Sequence, residues 1–158
     1  MSNQSASPRH EPLVLLSPLH RAIRQIGIHL SEEMSDLDLP GNEGHILSYL
    51  GSYAPVPISD LVRVFGIKKS TLTSLLDRLE SRRLIRRELH PSDRRSFLVH
   101  VTEEGEDLAA VVRRRVEALE QGICRSLAPS DLAAFGRVME SIASHTQVEV
   151  RSNPKESK

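Results

Sequence analysis

One cysteine, no tryptophan, two tyrosines and three phenylalanines are spread over 158 residues. A lone thiol, Cys124, cannot close an internal disulfide, and no Cys/His cluster is present to hold a structural zinc. A reducing, cytoplasmic compartment is therefore expected, and no cofactor is. Long apolar runs are missing too: residues 1–11 are polar, and the short run Leu13 to Leu16 is flanked by Pro12 and Pro18. Neither a signal peptide nor a membrane span is expected from that pattern. Charge of one sign does not dominate, because 21 Lys/Arg offset 21 Asp/Glu. That balance argues against a nonspecific nucleic-acid coat. Catalytic signatures are also lacking. There is no Gly-x-Ser-x-Gly, phosphate loop, His-Glu-x-x-His or dinucleotide fingerprint, so no enzymatic activity is expected.

What the sequence does contain is an uneven distribution of that balanced charge. Residues 61–100 carry Lys68, Lys69, Arg63, Arg78, Arg82, Arg83, Arg86, Arg87, Arg94 and Arg95 against only Asp77, Glu80, Glu88 and Asp93. The rest of the chain must be acidic in compensation. A basic segment in an acidic frame suits a protein that presents one face to phosphates.

Hydrophobic spacing divides the chain into elements. Residues 1–12 and 148–158 are rich in Ser, Asn, Pro and charge and read as mobile tails around one domain spanning 13–147. Leu19, Ile23, Ile26, Leu30, Met34 and Leu37 form the stripe of a long helix ending before Pro40-Gly41. A shorter helix over about 42–53 follows, with Ile46, Leu47 and Leu50 inward, and stops at the breaker Pro55-Val56-Pro57. Ile58, Leu61, Val62 and Phe65 mark a third helix closed by Gly66. Leu72, Leu75, Leu76 and Leu79 mark a fourth, which turns Ser70, Ser74, Asp77, Arg78 and Ser81 to the opposite face. Two short helices joined by a glycine turn make a helix-turn-helix.

After Leu84 the period shortens from 3.6 to 2. Leu84 to Leu89, and Phe97, Val99 and Val101 alternating with Leu98 and His100, read as a hairpin whose tip is His90-Pro91-Ser92-Asp93-Arg94-Arg95. Thr102 is placed to cap a long helix carrying Leu108, Val111, Val112, Val116, Leu119 and Ile123. Ala128-Pro129-Ser130-Asp131 opens a last one with Leu132, Phe135, Val138, Met139 and Ile142. The expected fold is mainly α with a small β-hairpin wing, in the order α-α-α-α-β-β-α-α.

A helix enters the major groove only if its outer face carries short polar groups that can approach base edges, with cations at its flanks for phosphate. Lys68, Lys69, Ser70, Thr71, Thr73, Ser74 and Arg78 meet that requirement. A Ser/Thr-rich first turn is also ordinary helix-starting chemistry, and the neighbouring wing is what favours the DNA reading. Arg94 and Arg95 lie where a hairpin would point towards a minor groove, with Asp93 beside them to orient an arginine. Arg86 and Arg87 are expected to reach phosphate.

These segments resemble the MarR family of winged helix-turn-helix regulators over essentially Leu13 to Ser144. Pro57-Ile58-Ser59-Asp60-Leu61 is similar to the start of its first motif helix, and Lys69 to Glu80 to its recognition helix. Most specific is Asp93-Arg94-Arg95-Ser96-Phe97-Leu98-Val99-His100-Val101-Thr102-Glu103-Glu104-Gly105, which matches an Asp-x-Arg pair, an alternating strand and a Thr-x-x-Gly helix opening. Arg83 stands where the family usually has a glycine in a left-handed turn, Lys68 where a small capping residue is usual, and Ser74 where arginine is frequent. Gly41-Asn42-Glu43-Gly44-His45 lacks the common Leu-Thr opening of the second helix. The resemblance implies a homodimer held by dimerisation helices at about 13–38 and 103–145, with a winged helix-turn-helix at about 42–101 and Asp93 bracing Arg95. It also implies a sequence-specific regulator, a repressor in the first instance, that binds double-stranded DNA at a pseudo-palindromic operator and responds to a small-molecule effector.

The apolar stripes independently exceed what a small winged-helix core covers, which also points to a dimer. A winged helix used only for protein contact or dimerisation, without DNA binding, is the alternative. Tyr49 and Tyr53 are expected at the core boundary, and Phe65, Phe97 and Phe135 in the core. Cys124 is expected to be a buried, inert thiol. His20 and His29 fall on opposite sides of the first helix, and His45, His100 and His145 are scattered, so no metal site is expected.

Overall fold

In the computed structural model, Glu11 and residues 13–147 are described, apart from the side chains of Arg94 and Arg95. The expected tails at 1–12 and 148–158 otherwise lie outside the described residues. Helix α1 spans Leu16–Glu33 and is followed by a 3-10 turn, Ser35–Leu37. Helix α2 is Gly41–Tyr53, strand β1 Val56–Pro57, α3 Ile58–Phe65 and α4 Lys69–Ser81. The wing strands are β2, Ile85–His90, and β3, Asp93–Val101, before α5, Glu103–Cys124, and α6, Pro129–Thr146. The mainly helical class with a small wing is as expected.

Three local differences have physical causes. The first stripe does not run as one helix to Leu37, because α1 stops at Met34 and the chain takes a left-handed turn at Asp38 (φ 52°) before Pro40. Met34 and Leu39, only 2% and 3% exposed, pin that connection to the core. The Pro55-Val56-Pro57 breaker contains β1, which pairs antiparallel with β3 through Val56↔Val99 and Pro57↔Leu98 and gives the sheet order β1-β3-β2. An edge strand tolerates a proline that a central strand would not. Finally, the hairpin turn is shorter than expected. β3 already begins at Asp93, so Arg94 and Arg95 belong to the strand backbone and not to the turn.

The core gathers Ile46, Leu47 and Leu50 of α2, Leu61 of α3, Leu72, Leu75, Leu76 and Leu79 of α4, Ile85 and Val99 of the wing, and Ala109 and Val112 of α5. Full burial of a leucine is worth about 1.5–3 kcal/mol, so four on one stripe of α4 fix its rotation and leave its polar face outward. Helices α1 and α6 bury no residue within the chain, and Leu13, Val14, Ile23, Leu132 and Phe135 are exposed. Phe135 (57%) and Phe97 (41%) are thus not the core residues their spacing suggested, and Cys124 is half-buried rather than enclosed.

Candidate nucleic-acid interface

The helix-turn-helix is built on two left-handed turns. Gly66 (φ 60°) ends α3, its N–H donating to the Val62 carbonyl at 3.0 Å. The end of α4 keeps the same conformation without glycine, since Arg83 has φ 59°. Arg83 N–H donates to Glu80 O (2.9 Å) and Leu84 N–H to Leu79 O (3.0 Å), the paired bonds of a Schellman stop, with buried Leu84 packing back into the core. The left-handed turn that the resemblance implies is kept here at the expense of strain on an arginine.

On the exposed face of α4, Lys68 occupies the cap position but supplies no side-chain cap bond. Lys69, Ser70, Thr71 and Ser74 are exposed and Thr73 is half-buried. Thr73 Oγ1 donates to Lys69 O (2.9 Å) and Ser74 Oγ to Ser70 O (3.1 Å). With those protons used inside the helix, the hydroxyl oxygens are left to face the solvent as acceptors.

Ion pairs restrain most of the arginines that sequence reasoning assigned to DNA. Arg87 is not a free phosphate ligand: its Nε donates to Glu80 (2.9 Å), its Nη2 to Asp77 (2.7 Å), and Glu80 also accepts the Arg87 backbone N–H (3.0 Å). Those carboxylates, Glu80 foremost, raise the Arg87 pKa above its ordinary range. Arg86 pairs with Glu88 on the exposed face of β2. Arg63 lies 3.6 Å from Asp60. Arg78 donates through Nε to Glu43, a carboxylate only 2% exposed at the start of α2. Arg82 donates to the carbonyls of Asp38 (2.6 Å) and Leu37 (3.1 Å). Neither Glu43 nor the anchoring role of Arg82 was foreseen. Glu43 had a signal, an acid on the same stripe as Ile46, Leu47 and Leu50.

In the wing, the register runs from Ile85↔Val101 to Leu89↔Phe97 and then jumps to His90↔Asp93. Three residues of β3, Arg94 to Ser96, are therefore accommodated opposite a single step of β2, a bulge of the kind that re-aims side chains. The side chains of Arg94 and Arg95 lie outside the described residues. Ser92 closes the turn on His90 Nδ1 (3.3 Å to N, 3.1 Å to Oγ). At the wing's base burial, and then Arg86, lower the His100 pKa from its ordinary range; its Nε2 is 3.2 Å from Glu88 but not aligned for a hydrogen bond. Thr102 ties the wing, the end of α4 and α5 together. Its Oγ1 donates to Arg83 O (2.7 Å) and accepts from Gly105 N (3.1 Å), and its N–H donates to Leu84 O (3.1 Å).

This exposed polar helix beside a bulged three-stranded wing has counterparts among known proteins. The MarR family model matches residues 37–96. The chain is 36% identical over 110 residues to the HTH-type transcriptional regulator PecS of Dickeya dadantii, covering 68% of this chain and 64% of PecS. The chain belongs to the MarR family.

Other comparisons agree in sequence or in fold. MhqR of Bacillus subtilis is 28% identical over 93 residues, 59% of this chain and 64% of MhqR. The chain spans 55–64% of the length of the curated relatives it matches. The crystal structure of AbsC, a MarR family regulator from Streptomyces coelicolor, superposes with a TM-score of 0.74 at 25% identity, covering 89% of this chain and all of AbsC. The S. aureus MepR–DNA complex superposes at 0.76 with 20% identity, over 84% of this chain and 99% of MepR. No helix among the described residues is long and apolar enough to cross a membrane.

Proposed function

We propose that the protein is a transcriptional regulator without enzymatic activity, which binds double-stranded DNA as a homodimer in the cytoplasm. The observation that carries this reading is α4. Its leucine stripe is fully buried, while Lys68, Lys69, Ser70, Thr71 and Ser74 stand outward beside the wing. In this reading α4 enters the major groove, and Asp93, Arg94 and Arg95 address the adjoining minor groove. The domain is one unit over 13–147. The uncovered faces of α1 and α6, with Ile23, Leu132 and Phe135 exposed, support mutual burial against a second copy. A two-fold dimer would place its two α4 helices on half-sites roughly 10 bp apart.

A repressor released by a small molecule fits the same frame. A cavity of about 190 Å³ lies between α2 and α5, lined by Met34, His45, Tyr49, Tyr53, Val112 and Arg113. The Tyr49 and Tyr53 rings are 4.6 Å apart, which would suit a small aromatic effector.

Selection of duplexes from a random-sequence pool tests the function directly. A pseudo-palindromic sequence should be enriched, with affinity that falls steeply as salt rises because several cations displace counterions. Binding that ignores salt, no enriched sequence, or a monomer by sedimentation at micromolar concentration would each sink the proposal. Arg95→Ala should weaken binding without dissociating the dimer; full affinity in that variant would remove Arg95 from the interface.

A further inference from the structure

We infer that Glu43 is a positioning residue for base reading, holding Arg78 so that the guanidinium presents both terminal nitrogens to the O6/N7 edge of a guanine. The inference rests on the DNA-binding reading above. Glu43 is 2% exposed and belongs to α2, an element that carries none of the proposed DNA-facing residues, yet its carboxylate accepts from Arg78 Nε. Arg78 lies in line with Ser70 and Ser74 along the outer strip of α4, and its side chain is 53% exposed.

A guanidinium offers two forked faces, one through Nε and one end-on through Nη1 and Nη2. With Nε occupied, only the end-on fork is left, and neither terminal nitrogen has another partner among the described residues. The side chain is anchored from the protein side and open on the groove side. Two parallel acceptors at the spacing of that fork occur on a guanine major-groove edge and on a phosphate.

Charge decides between them. A buried carboxylate beside Arg78 cancels much of its long-range attraction for phosphate but leaves its hydrogen-bond geometry intact. A group selected to bind the backbone gains nothing from such a neighbour, whereas one selected to discriminate gains a fixed orientation and loses fewer rotamers on binding. Burying an acid without this return is costly, since an apolar residue of similar volume serves a core equally well or better.

The test uses the full chain, the duplex it enriches from a random pool, and a scrambled duplex of equal composition. The ratio of the two affinities, read by fluorescence anisotropy, should fall about tenfold in Glu43→Leu, towards the lower end of what one bidentate arginine–guanine pair discriminates. The thermal midpoint should hold or rise, which a merely structural acid would not permit. Glu43→Gln keeps a neutral acceptor and should lose about threefold, since charge-assisted bonds are roughly twice as strong as neutral ones. This variant carries the test if Glu43→Leu does not fold. Arg78→Lys should reproduce the loss, and Glu43→Leu should add nothing in an Arg78→Ala background. Placing 7-deazaguanine at each enriched guanine in turn should expose one position in each half-site that matters to the wild type and not to Glu43→Leu.

An unchanged affinity ratio in Glu43→Leu, an undiminished effect without Arg78, or indifference to every deazaguanine would overturn the inference. The first two leave DNA recognition standing, and the third moves Arg78 to phosphate. Failure of the wild type to enrich any sequence overturns the regulator reading itself, and base reading with it.

Discussion

Gly105 is the residue on which the joint between the end of α4, the wing and α5 depends, and replacing it with alanine should be severe. It is the third residue of α5, and a Cβ built there meets Leu84 O at 2.0 Å, Val101 Cγ1 at 2.7 Å and the Leu84 carbonyl carbon at 2.9 Å. Val101 can rotate away, but the Leu84 carbonyl is backbone and already accepts Thr102 N–H at 3.1 Å. Relieving the clash means moving α5 by about the missing ångström, which breaks that bond and the two made by the Thr102 hydroxyl. Overpacking costs about 1–3 kcal/mol and each hydrogen bond about 1 kcal/mol, while alanine returns about 1 kcal/mol of helix preference. The net loss is about 3–5 kcal/mol, a large part of a typical domain's total of roughly 5–15 kcal/mol. Gly122, in the same helix, has no atom within 4 Å of its built Cβ and serves as the control. Gly122→Ala should gain up to about 1 kcal/mol. Urea unfolding followed by circular dichroism measures both, at two protein concentrations so that a loss growing on dilution is assigned to subunit contact. If Gly105→Ala unfolds within 1 kcal/mol of the wild type, the account of this joint is wrong.

Arg83→Gly should stabilise the fold by about 0.5–1 kcal/mol, because relief of a left-handed arginine exceeds the entropy glycine adds to the unfolded chain; a lower urea midpoint would contradict this. Desolvation of the ring, which packs edge-on to Phe65 while the residue keeps an exposed side, lowers the His45 pKa from its ordinary 6.5. The unfolded chain then binds the proton more readily, so stability should be undiminished above about pH 6.5 and fall as pH drops below it; His45→Gln should flatten that fall, and an equal slope in both proteins would exclude His45 as its source. Arg87→Ala should weaken binding to every duplex by freeing Asp77 and Glu80 to repel phosphate, and Asp77→Asn with Glu80→Gln should restore it; a direct phosphate contact would instead lower the salt slope by about one and resist such rescue.

The periodic elements were legible because their apolar residues face one core. The stripes of α3 and α4, the Gly66 turn and the switch to period 2 at the wing each carry a local pattern that tertiary contacts reinforce. Thr102 as a cap, and Gly105 behind it, were readable as a motif, and the structure adds the reason: the Leu84 carbonyl occupies the space a side chain would need. What escaped the sequence depends on distant partners. Strand β1 has only two residues, one of them proline, and exists because Val99 and Leu98 of β3 lie alongside. The end of α1 is set by burial of Met34 and Leu39, which spacing alone cannot separate from a continuing helix. Phe97 and Phe135 occupy helical or alternating positions that face outward in the single chain, because a period identifies a common face and not what covers it.

The basic segment gives the clearest case of a count misleading about a surface. Ten cations against four acids suggested a face strongly attractive to phosphate, but Arg63, Arg78, Arg86 and Arg87 each meet a carboxylate, two of these, Asp60 and Glu43, supplied from outside the segment. Arg82 is spent on backbone carbonyls at the α1–α2 connection. Lys68 and Lys69, at the start of α4, are by contrast exposed and outside these pairs. Such an arrangement concentrates unneutralised charge where the helix N-terminus already favours an anion, and fixes the arginines elsewhere as oriented donors. The reading helix is also held at both ends. Arg82 fastens its last turn to the segment that Arg115 of α5 grips through Asp36 (2.7 Å), and Thr102 fastens its stop to the first turn of α5. Since both fastenings lead to α5, a change in the angle of that helix should carry α4 with it, and the proposed DNA reading would then depend on what packs against α5.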